Sequence, residues 1–165
     1  NKDVGQIKIE KQDNNNSLEN RNNLIKNLKY NVNFDNNTQY SITADLSELR
    51  YENDVEIVDM QNVTAIFSDE EDIPLKITSN KAIYNNSNYN SNFSENVKIE
   101  YLDNVVLSDK LDINFNENII KIYENVVYEG LQGTIKADNV ELNLITKNMK
   151  IFMGTKGEKV EVFSK

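Results

Sequence analysis

The chain has 165 residues, a net charge of −9 at neutral pH and no cysteine, histidine or tryptophan. Its lysines and arginines are scattered, which argues against a nucleic-acid partner because such proteins need a clustered basic surface. The absence of histidine and cysteine removes the side chains most often used in acid–base and nucleophilic catalysis. We therefore expect a protein that is not an enzyme and needs no cofactor.

The first residues of the chain are polar and show little periodicity. We predict a flexible N-terminal tail over residues 1–23 and a single domain over residues 24–165. No apolar run approaches the roughly 18–20 residues that a membrane-spanning helix needs. Asparagine is abundant, and we interpret this abundance as a compositional bias rather than a specific role.

From Tyr40 onward, apolar and polar residues alternate in nearly every segment, for example in 97–101, 111–115 and 140–144. This two-residue period is typical of β-strands that bury one face. Short polar segments separate the strands, which favours antiparallel hairpins. The sequence therefore predicts an all-β domain.

Four similar units follow one another, over residues 41–67, 76–101, 105–130 and 134–163. Each unit opens with a small residue followed by Asp or Asn. A second pair follows later in each unit and is Asn-Val in the first three units. The opening pairs are Ala44-Asp45, Ser79-Asn80, Ser108-Asp109 and Ala137-Asp138, and the later pairs are Asn62-Val63, Asn96-Val97, Asn125-Val126 and Gly154-Thr155. The repeat predicts an elongated body of stacked units.

The alternation slips by one residue inside each unit. Ile42 and Ala44 share a face of the predicted strand, but the next inward residue is Ser47, three positions later. In the other units the same slip turns Ala82, Leu111 and Val140 inward. Such a slip predicts a β-bulge that bends the strand. Each unit should therefore be a bent strand, a polar turn and a second bent strand.

Two other segments suggest binding. Residues 158–163 alternate cleanly, and with Val160 and Val162 they predict an edge strand that a partner covers. The acidic residues 69–72 offer oxygen ligands for Ca²⁺. They lack the spacing and the glycine of known calcium loops, so a solvated turn is the preferred interpretation and we predict no metal site.

Four features together resemble the OstA/LptA/LptC superfamily of lipopolysaccharide-export proteins. They are the segment Y-S-I-T-A-D (40–45), the repeated opening pairs, the repeated Asn-Val pairs and G-T-I-K-A-D-N-V-E-L (133–142). Within the superfamily, residues 27–49 are most similar to the opening of the LptC family. The resemblance covers about residues 24–163 and departs from the pattern at Gly154-Thr155.

The resemblance implies a twisted, elongated antiparallel β-jellyroll built from about four repeated strand-turn-strand units. It implies a location in the periplasm of a Gram-negative bacterium, tethered to the inner membrane by an anchor missing from this chain. Family members receive lipopolysaccharide from an inner-membrane ABC transporter of the LptB, LptF and LptG type. They pass it to an LptA-like bridge through edge-to-edge contact, here expected at the C-terminal edge strand.

A lipid path must shield acyl chains from water, which is worth about 0.8 kcal/mol per buried CH₂. We predict that inward residues near the bends line this path as an apolar groove. They are Ile42, Ala44, Leu49, Ile57, Ile77, Tyr84, Phe93, Ile99, Ile113, Ile122, Leu142 and Ile151. Any one of them is explained more simply as core, but the low apolar share of 38% favours a partly open interior.

Two other interpretations remain open at this point. The same fold could serve as a soluble LptA-like bridge that polymerises head to tail. The repeat could instead belong to a parallel β-helix, in an adhesin or a polysaccharide-acting protein. Antiparallel pairing across residues 116–118 would exclude the β-helix.

Overall fold

The computed structural model describes residues 23–34, 37–69, 73–154 and 158–162. These residues form ten β-strands and no helix, so the all-β prediction is confirmed. The strands are β1 (Leu24–Asn33), β2 (Gln39–Glu52), β3 (Val55–Ser68), β4 (Leu75–Asn85), β5 (Ser91–Tyr101), β6 (Asn104–Asn114), β7 (Ile119–Gly130), β8 (Gly133–Asn143), β9 (Met149–Met153) and β10 (Glu158–Val162).

Each strand pairs antiparallel with the next one, and the order in the sheet is the order in the chain. The hairpin between β6 and β7 pairs Asn114 with Ile119 across residues 116–118. The parallel β-helix interpretation is therefore wrong, because its coils would place parallel strands next to one another. Within the described residues β1 and β10 do not pair, so the sheet remains open.

The predicted slips occur at the expected positions. On β2 the buried residues Ala44 and Ser47 flank the exposed Asp45. On β4 the buried residues Ser79 and Ala82 take the same places. On β6 and β8 the inward positions likewise shift after the Ser-Asp and Ala-Asp pairs. Because the bends of neighbouring strands lie side by side in the register, they form one line across the sheet, which we call the crease.

Asparagine shapes the crease on the odd-numbered strands. Asn62, Asn96 and Asn125 have φ values of 52–53°, in the left-handed region that asparagine tolerates better than most residues. The side-chain amide of Asn62 donates to Asp45 at 3.1 Å, and the amide of Asn125 donates to Asp109. The two repeated motifs thus meet across the bend, which explains why they recur together.

Asparagine also closes three turns, and these turns are one repeat apart. Asn85, Asn114 and Asn143 each accept backbone N–H groups through the side-chain Oδ1 at the start of a turn. For Asn114 the donors are Asn116 at 3.0 Å and Glu117 at 3.2 Å. Such Asx turns replace backbone hydrogen bonds with local ones. Compositional bias alone therefore does not account for the asparagines: at these positions they shape the fold.

The crease divides the sheet into two arms. Arm A contains residues 28–33, 39–44, 63–68, 75–79, 97–101, 104–108, 126–130 and 133–137, and arm B contains residues 24–26, 46–52, 55–61, 81–85, 91–94, 110–114, 119–123, 139–143, 149–153 and 158–162. β9 and β10 therefore lie in arm B alone.

The two arms face each other across the interior. Tyr30 on β1 of arm A stacks on Tyr84 on β4 of arm B, with ring centroids 4.8 Å apart. In a flat sheet these strands would be about 14 Å apart, since neighbouring strands are about 4.8 Å apart. Tyr40 in arm A likewise reaches Ser91 in arm B, at 3.0 Å. The sheet is therefore folded along the crease, and we call the opposite side, where the ends of the arms meet, the flank.

Candidate functional site

The face enclosed between the arms holds eleven of the twelve residues predicted to line a lipid path. Strand register and burial place them there. They are Ile42, Ala44, Leu49, Ile77, Tyr84, Phe93, Ile99, Ile113, Ile122, Leu142 and Ile151. Ile57 lies on the outer face, because it pairs with Arg50 and Asn85 while Val58 takes the inward position.

The interior is packed along most of its length. Ile42, Ile77, Leu111 and Ile122 have no exposed surface, and the inward residues of both arms form one continuous apolar cluster. Small residues lie nearest the crease, where the arms converge, as Ala82 does on β4. Most of the interior is therefore filled by side chains instead of forming an open groove.

Among the described residues, the fully buried polar side chains are those of four serines, and no fully buried residue is charged. The hydroxyl groups of Ser91 and Tyr40 share a hydrogen bond at 3.0 Å. The hydroxyl of Ser91 also lies 3.1 Å from the carbonyl of Tyr89, to which it can donate. Burial raises the pKa of the Tyr40 hydroxyl well above its usual value of about 10. It also raises the pKa of Tyr84. The fully buried residues therefore carry no charge at neutral pH, an environment suited to hydrocarbon and unsuited to phosphate. At the margin of the interior, the half-buried carboxylate of Glu56 accepts a hydrogen bond from the hydroxyl of Tyr30 at 3.2 Å.

Toward β1, the flank is closed by aromatic rings. Phe115, just after β6, lies 5.2 Å from the ring of Phe34, 5.2 Å from Tyr40 and 5.9 Å from Phe67. We call these four residues the aromatic cluster. Phe34 directly follows β1, and Phe67 is the last residue but one of β3, so both lie at the end of arm A. Phe115 follows the arm B segment of β6. The cluster therefore joins the two arms through side chains alone.

Toward β8, the sheet has an uncovered corner. β9 ends at Met153, and the chain turns at Gly154 to pair back as β10, with Glu158 opposite Met153. The segment of β8 in arm A, residues 133–137, pairs with β7 on one side. On its other side, none of the described strands pairs with it. Ile135 and Ala137 face inward on this segment and are only half-buried. We call residues 133–137 the open edge.

Tyr128 lies beside the open edge, on β7. Its hydroxyl donates to the side chain of Asn104 at 2.6 Å. The same hydroxyl lies 2.5 Å from where a Cβ on Gly130 would be, so this glycine leaves the space that the tyrosine ring needs. Small residues and a single ring therefore border the interior here, in place of the aromatic cluster.

The family was identified by comparison with family models. A model described as "Lipopolysaccharide-assembly, LptC-related" matches residues 4–159, nearly the whole chain. The chain belongs to the LptC family. A search of curated proteins found no match. Proteins of the LptC family act in lipopolysaccharide export and outer-membrane biogenesis, and they work in the periplasm in association with the inner membrane of Gram-negative bacteria.

The family assignment supports a lipid-transport role for this LptC-family protein. It fits an interior whose fully buried residues are apolar apart from four serines. Within the described residues, no helix is long and apolar enough to cross a membrane. The elongated jellyroll-like architecture expected from the sequence is confirmed.

The predicted partner strand is present in the backbone. Val160 pairs in register with Ile151 and Val162 with Met149, so residues 158–162 form the last strand of arm B. The C-terminal edge of this LptC-family domain is thus formed by β10 in arm B and by the open edge in arm A.

Acidic residues 70–72 lie outside the described part of the chain, and the described residues contain no cluster of metal-ligating side chains.

One cleft outside the interior is lined mainly by polar residues. It has a volume of about 520 Å³ and lies on the outer face of arm B. Arg50, Asn92, Asp112 and Ile57 are among its lining residues. Asp112 is already engaged by the amide of Asn92 at 2.8 Å and by the hydroxyl of Tyr123 at 3.1 Å. These hydrogen bonds link β5, β6 and β7 on the outer face of arm B.

Sequence reasoning missed the aromatic cluster and the open edge. Phe34 and Phe115 lie next to polar turns, so alternation alone does not show that they meet across the interior. A signal for the open edge was available. The replacement of the last Asn-Val by Gly154-Thr155 is the point where β9 stops and arm A loses its next strand.

Proposed function

We propose that this protein receives lipopolysaccharide from an inner-membrane ABC transporter of the LptB, LptF and LptG type and passes it to an LptA-like bridge. In this proposal an N-terminal anchor holds the domain at the inner membrane, and the acyl chains travel between the two arms. The observation that carries the proposal is the inner face, whose fully buried residues on both arms are apolar apart from four uncharged serines. Transfer itself requires no covalent chemistry.

The dimensions of the sheet suit a lipid path. Ten strands at about 4.8 Å spacing give a sheet about 40 Å across, of which the part where the arms face each other is about 30 Å long. Each CH₂ that moves from water into this interior contributes about 0.8 kcal/mol. Because the interior is packed by side chains, lipid must displace contacts between the arms as it enters. Apolar contacts between the two arms are then replaced by apolar contacts between each arm and the lipid.

The exit of this path would be the C-terminal edge. The open edge has unpaired backbone groups on the side away from β7 among the described strands, and the half-buried Ile135 and Ala137 continue the inner face to the edge. A strand of an LptA-like bridge that added to this edge would extend both the sheet and the apolar lining. This arrangement would let the lipid pass between proteins without crossing water.

Site-specific photo-crosslinking tests the path. A photo-reactive residue at Ile113 or Leu142 points into the interior, whereas one at the neighbouring Asp112 or Glu141 points outward on the same strands. In cells that export lipopolysaccharide, we expect capture of the lipid at the two inward positions and not at the two outward controls. Equal capture at all four positions, or none at Ile113 and Leu142, would contradict an interior path.

A second experiment tests the exit. Ile135→Lys places a charge on the inward side of the open edge, and Thr134→Lys places the same charge on the outward side. We expect Ile135→Lys to weaken binding to an LptA-like bridge on the order of tenfold, about 1.4 kcal/mol, and Thr134→Lys to have little effect. Binding measured by calorimetry, with urea unfolding as a check on stability, distinguishes the two. Unchanged affinity of the Ile135 variant would exclude the open edge as the contact.

A further inference from the structure

The aromatic cluster is one of the places where side chains hold the two arms together, beside the Tyr30–Tyr84 stack and the Tyr40–Ser91 hydrogen bond. Phe34 and Phe115 stack with ring centroids 5.2 Å apart and planes inclined by 28°. They directly follow β1 and β6, which are not neighbours in the sheet. No backbone ladder therefore joins the arms here.

The two rings are carried by separate turns. The backbone N–H of Phe115 donates to the side chain of Asn90 at 3.0 Å, within arm B. The backbone N–H of Phe34 donates to the carbonyl of Thr38 at 2.8 Å, within arm A. Each ring is thus fixed to its own arm, and the rings can separate without breaking the hydrogen bonds of either turn.

The crease gives the arms a line about which they can rotate. Each odd strand from β1 to β7 bends there at residues with positive φ, Asn62 and Asn125 among them, while the strands continue through the bend. The ladder is irregular at this line, as between Tyr123 and Val126. Opening at the flank therefore changes the bend and leaves the ladders of both arms paired.

We propose that Phe34 and Phe115 form a latch that must part for an acyl chain to enter the interior through the flank. This inference rests on the proposed function and names the residues that control entry. The contacts of the latch are apolar, with Tyr40 and Phe67 behind Phe115. An acyl chain offers the same kind of contact. The contact between the two rings is therefore replaced by contacts between each ring and the lipid, and the exchange leaves no charged group of the latch buried.

The natural absence of cysteine makes a direct test possible. In the full chain, Phe34→Cys and Phe115→Cys are introduced together and joined by a short bismaleimide. Binding of purified lipopolysaccharide is measured on the same preparation before and after joining. We expect the joined latch to lose at least tenfold in affinity or in rate of uptake.

The matched control joins Glu141→Cys to Lys150→Cys, a register pair on the outer face of arm B that does not cross the flank. Joining this pair should leave lipid uptake unchanged. Circular dichroism of both unjoined variants verifies the fold, and each comparison is made within one protein. Equal uptake before and after joining the latch would overturn the proposal.

A substitution provides an independent measurement. Phe115→Leu keeps an apolar side chain and removes the stacking on Phe34, so the latch should open more readily and the association rate should rise severalfold. An unchanged or slower rate would contradict the latch. If the unmodified chain binds no lipopolysaccharide at all, the proposed function itself fails, and the latch with it.

Discussion

The flank near β1 and the flank near β8 are built from the same repeated strands but end differently. Near β1, Phe34 and Phe115 meet across the interior and close it. Near β8, the corresponding positions at the end of arm A are Gly130 and Gly133, and Ile135 remains half-buried. The difference shows that the outermost inward residues decide whether the interior is closed at each end of the sheet.

The arm B strands explain why only one end is covered. Cross-arm contacts are offset: Tyr30 on β1 meets Tyr84 on β4, and Phe67 on β3 meets Phe115 after β6. Phe34, after β1, also meets Phe115, so a strand of arm A is covered by an arm B strand three to five places further on. For β8 that covering strand would lie beyond β10, the last strand described.

The largest expected effect is a difference in the free energy of unfolding that is lost when a ring is removed from each end. Tyr40→Ala removes a fully buried ring that contacts Phe67 and Phe115, and should lower the free energy of unfolding by about 4 kcal/mol. Tyr128→Ala, at the open end, should cost about 2 kcal/mol because that ring has no aromatic neighbour among the contacts of the described residues. Urea unfolding measures both. Equal losses would mean that the ends are packed alike.

Alkaline pH should destabilise the closed region. Burial raises the pKa of Tyr40 and Tyr84, so the unfolded chain ionises near pH 10 while the folded chain keeps these hydroxyls neutral. Their contribution is complete below pH 10 and is lost as the pH rises above it, by up to about 1.4 kcal/mol per pH unit for each group. The free energy of unfolding, measured from pH 8 to 12, should fall less steeply in Tyr84→Phe. An identical slope would refute this origin.

A methyl group at the open end should disturb Tyr128. Gly130→Ala would place a Cβ 2.5 Å from the tyrosine hydroxyl, displacing the ring from Asn104 and costing about 1–2 kcal/mol. The added cost should shrink in a Tyr128→Phe background, where the nearest atom is absent. A double-mutant cycle by urea unfolding measures this coupling, and strict additivity would show that the two residues do not interact.

The smallest effect concerns the crease, which the two regions share. Asn62→Ala and Asn125→Ala should each cost about 1 kcal/mol, because alanine fits the left-handed backbone less well and the hydrogen bond to Asp45 or Asp109 is lost. Asn→Gly at either position should cost less. Similar thermal shifts for the two sites would show that the ends differ at the flank alone, and a large difference would show that the crease is not uniform.

The faces and bends of the strands could be predicted from the sequence because both are local. Alternation with a one-residue slip placed Ser47, Ala82, Leu111 and Val140 on the inner face, and all four are buried. Ile57 was misplaced because β3 carries the adjacent apolar residues Ile57 and Val58, both buried, so alternation there is ambiguous.

The pairing of the arms could not be predicted, because it depends on the twist accumulated over several strands. Nothing in residues 34 or 115 themselves indicates a partner about 80 positions away, and the contact becomes apparent only when the sheet is folded. The asparagines of the turns carried a usable signal: Asn85, Asn114 and Asn143 stand 29 residues apart, the same spacing as the motifs. Their regular spacing distinguishes a structural role from composition.

The bent two-strand unit has a consequence for how such proteins vary. The hairpins β4–β5, β6–β7 and β8–β9 each contain a closing asparagine, Asn85, Asn114 and Asn143, so each 29-residue layer carries its own turn signal. Duplicating or deleting a whole 29-residue layer would lengthen or shorten the sheet by two strands, in steps of about 10 Å. The length of this body is therefore a countable, modular quantity.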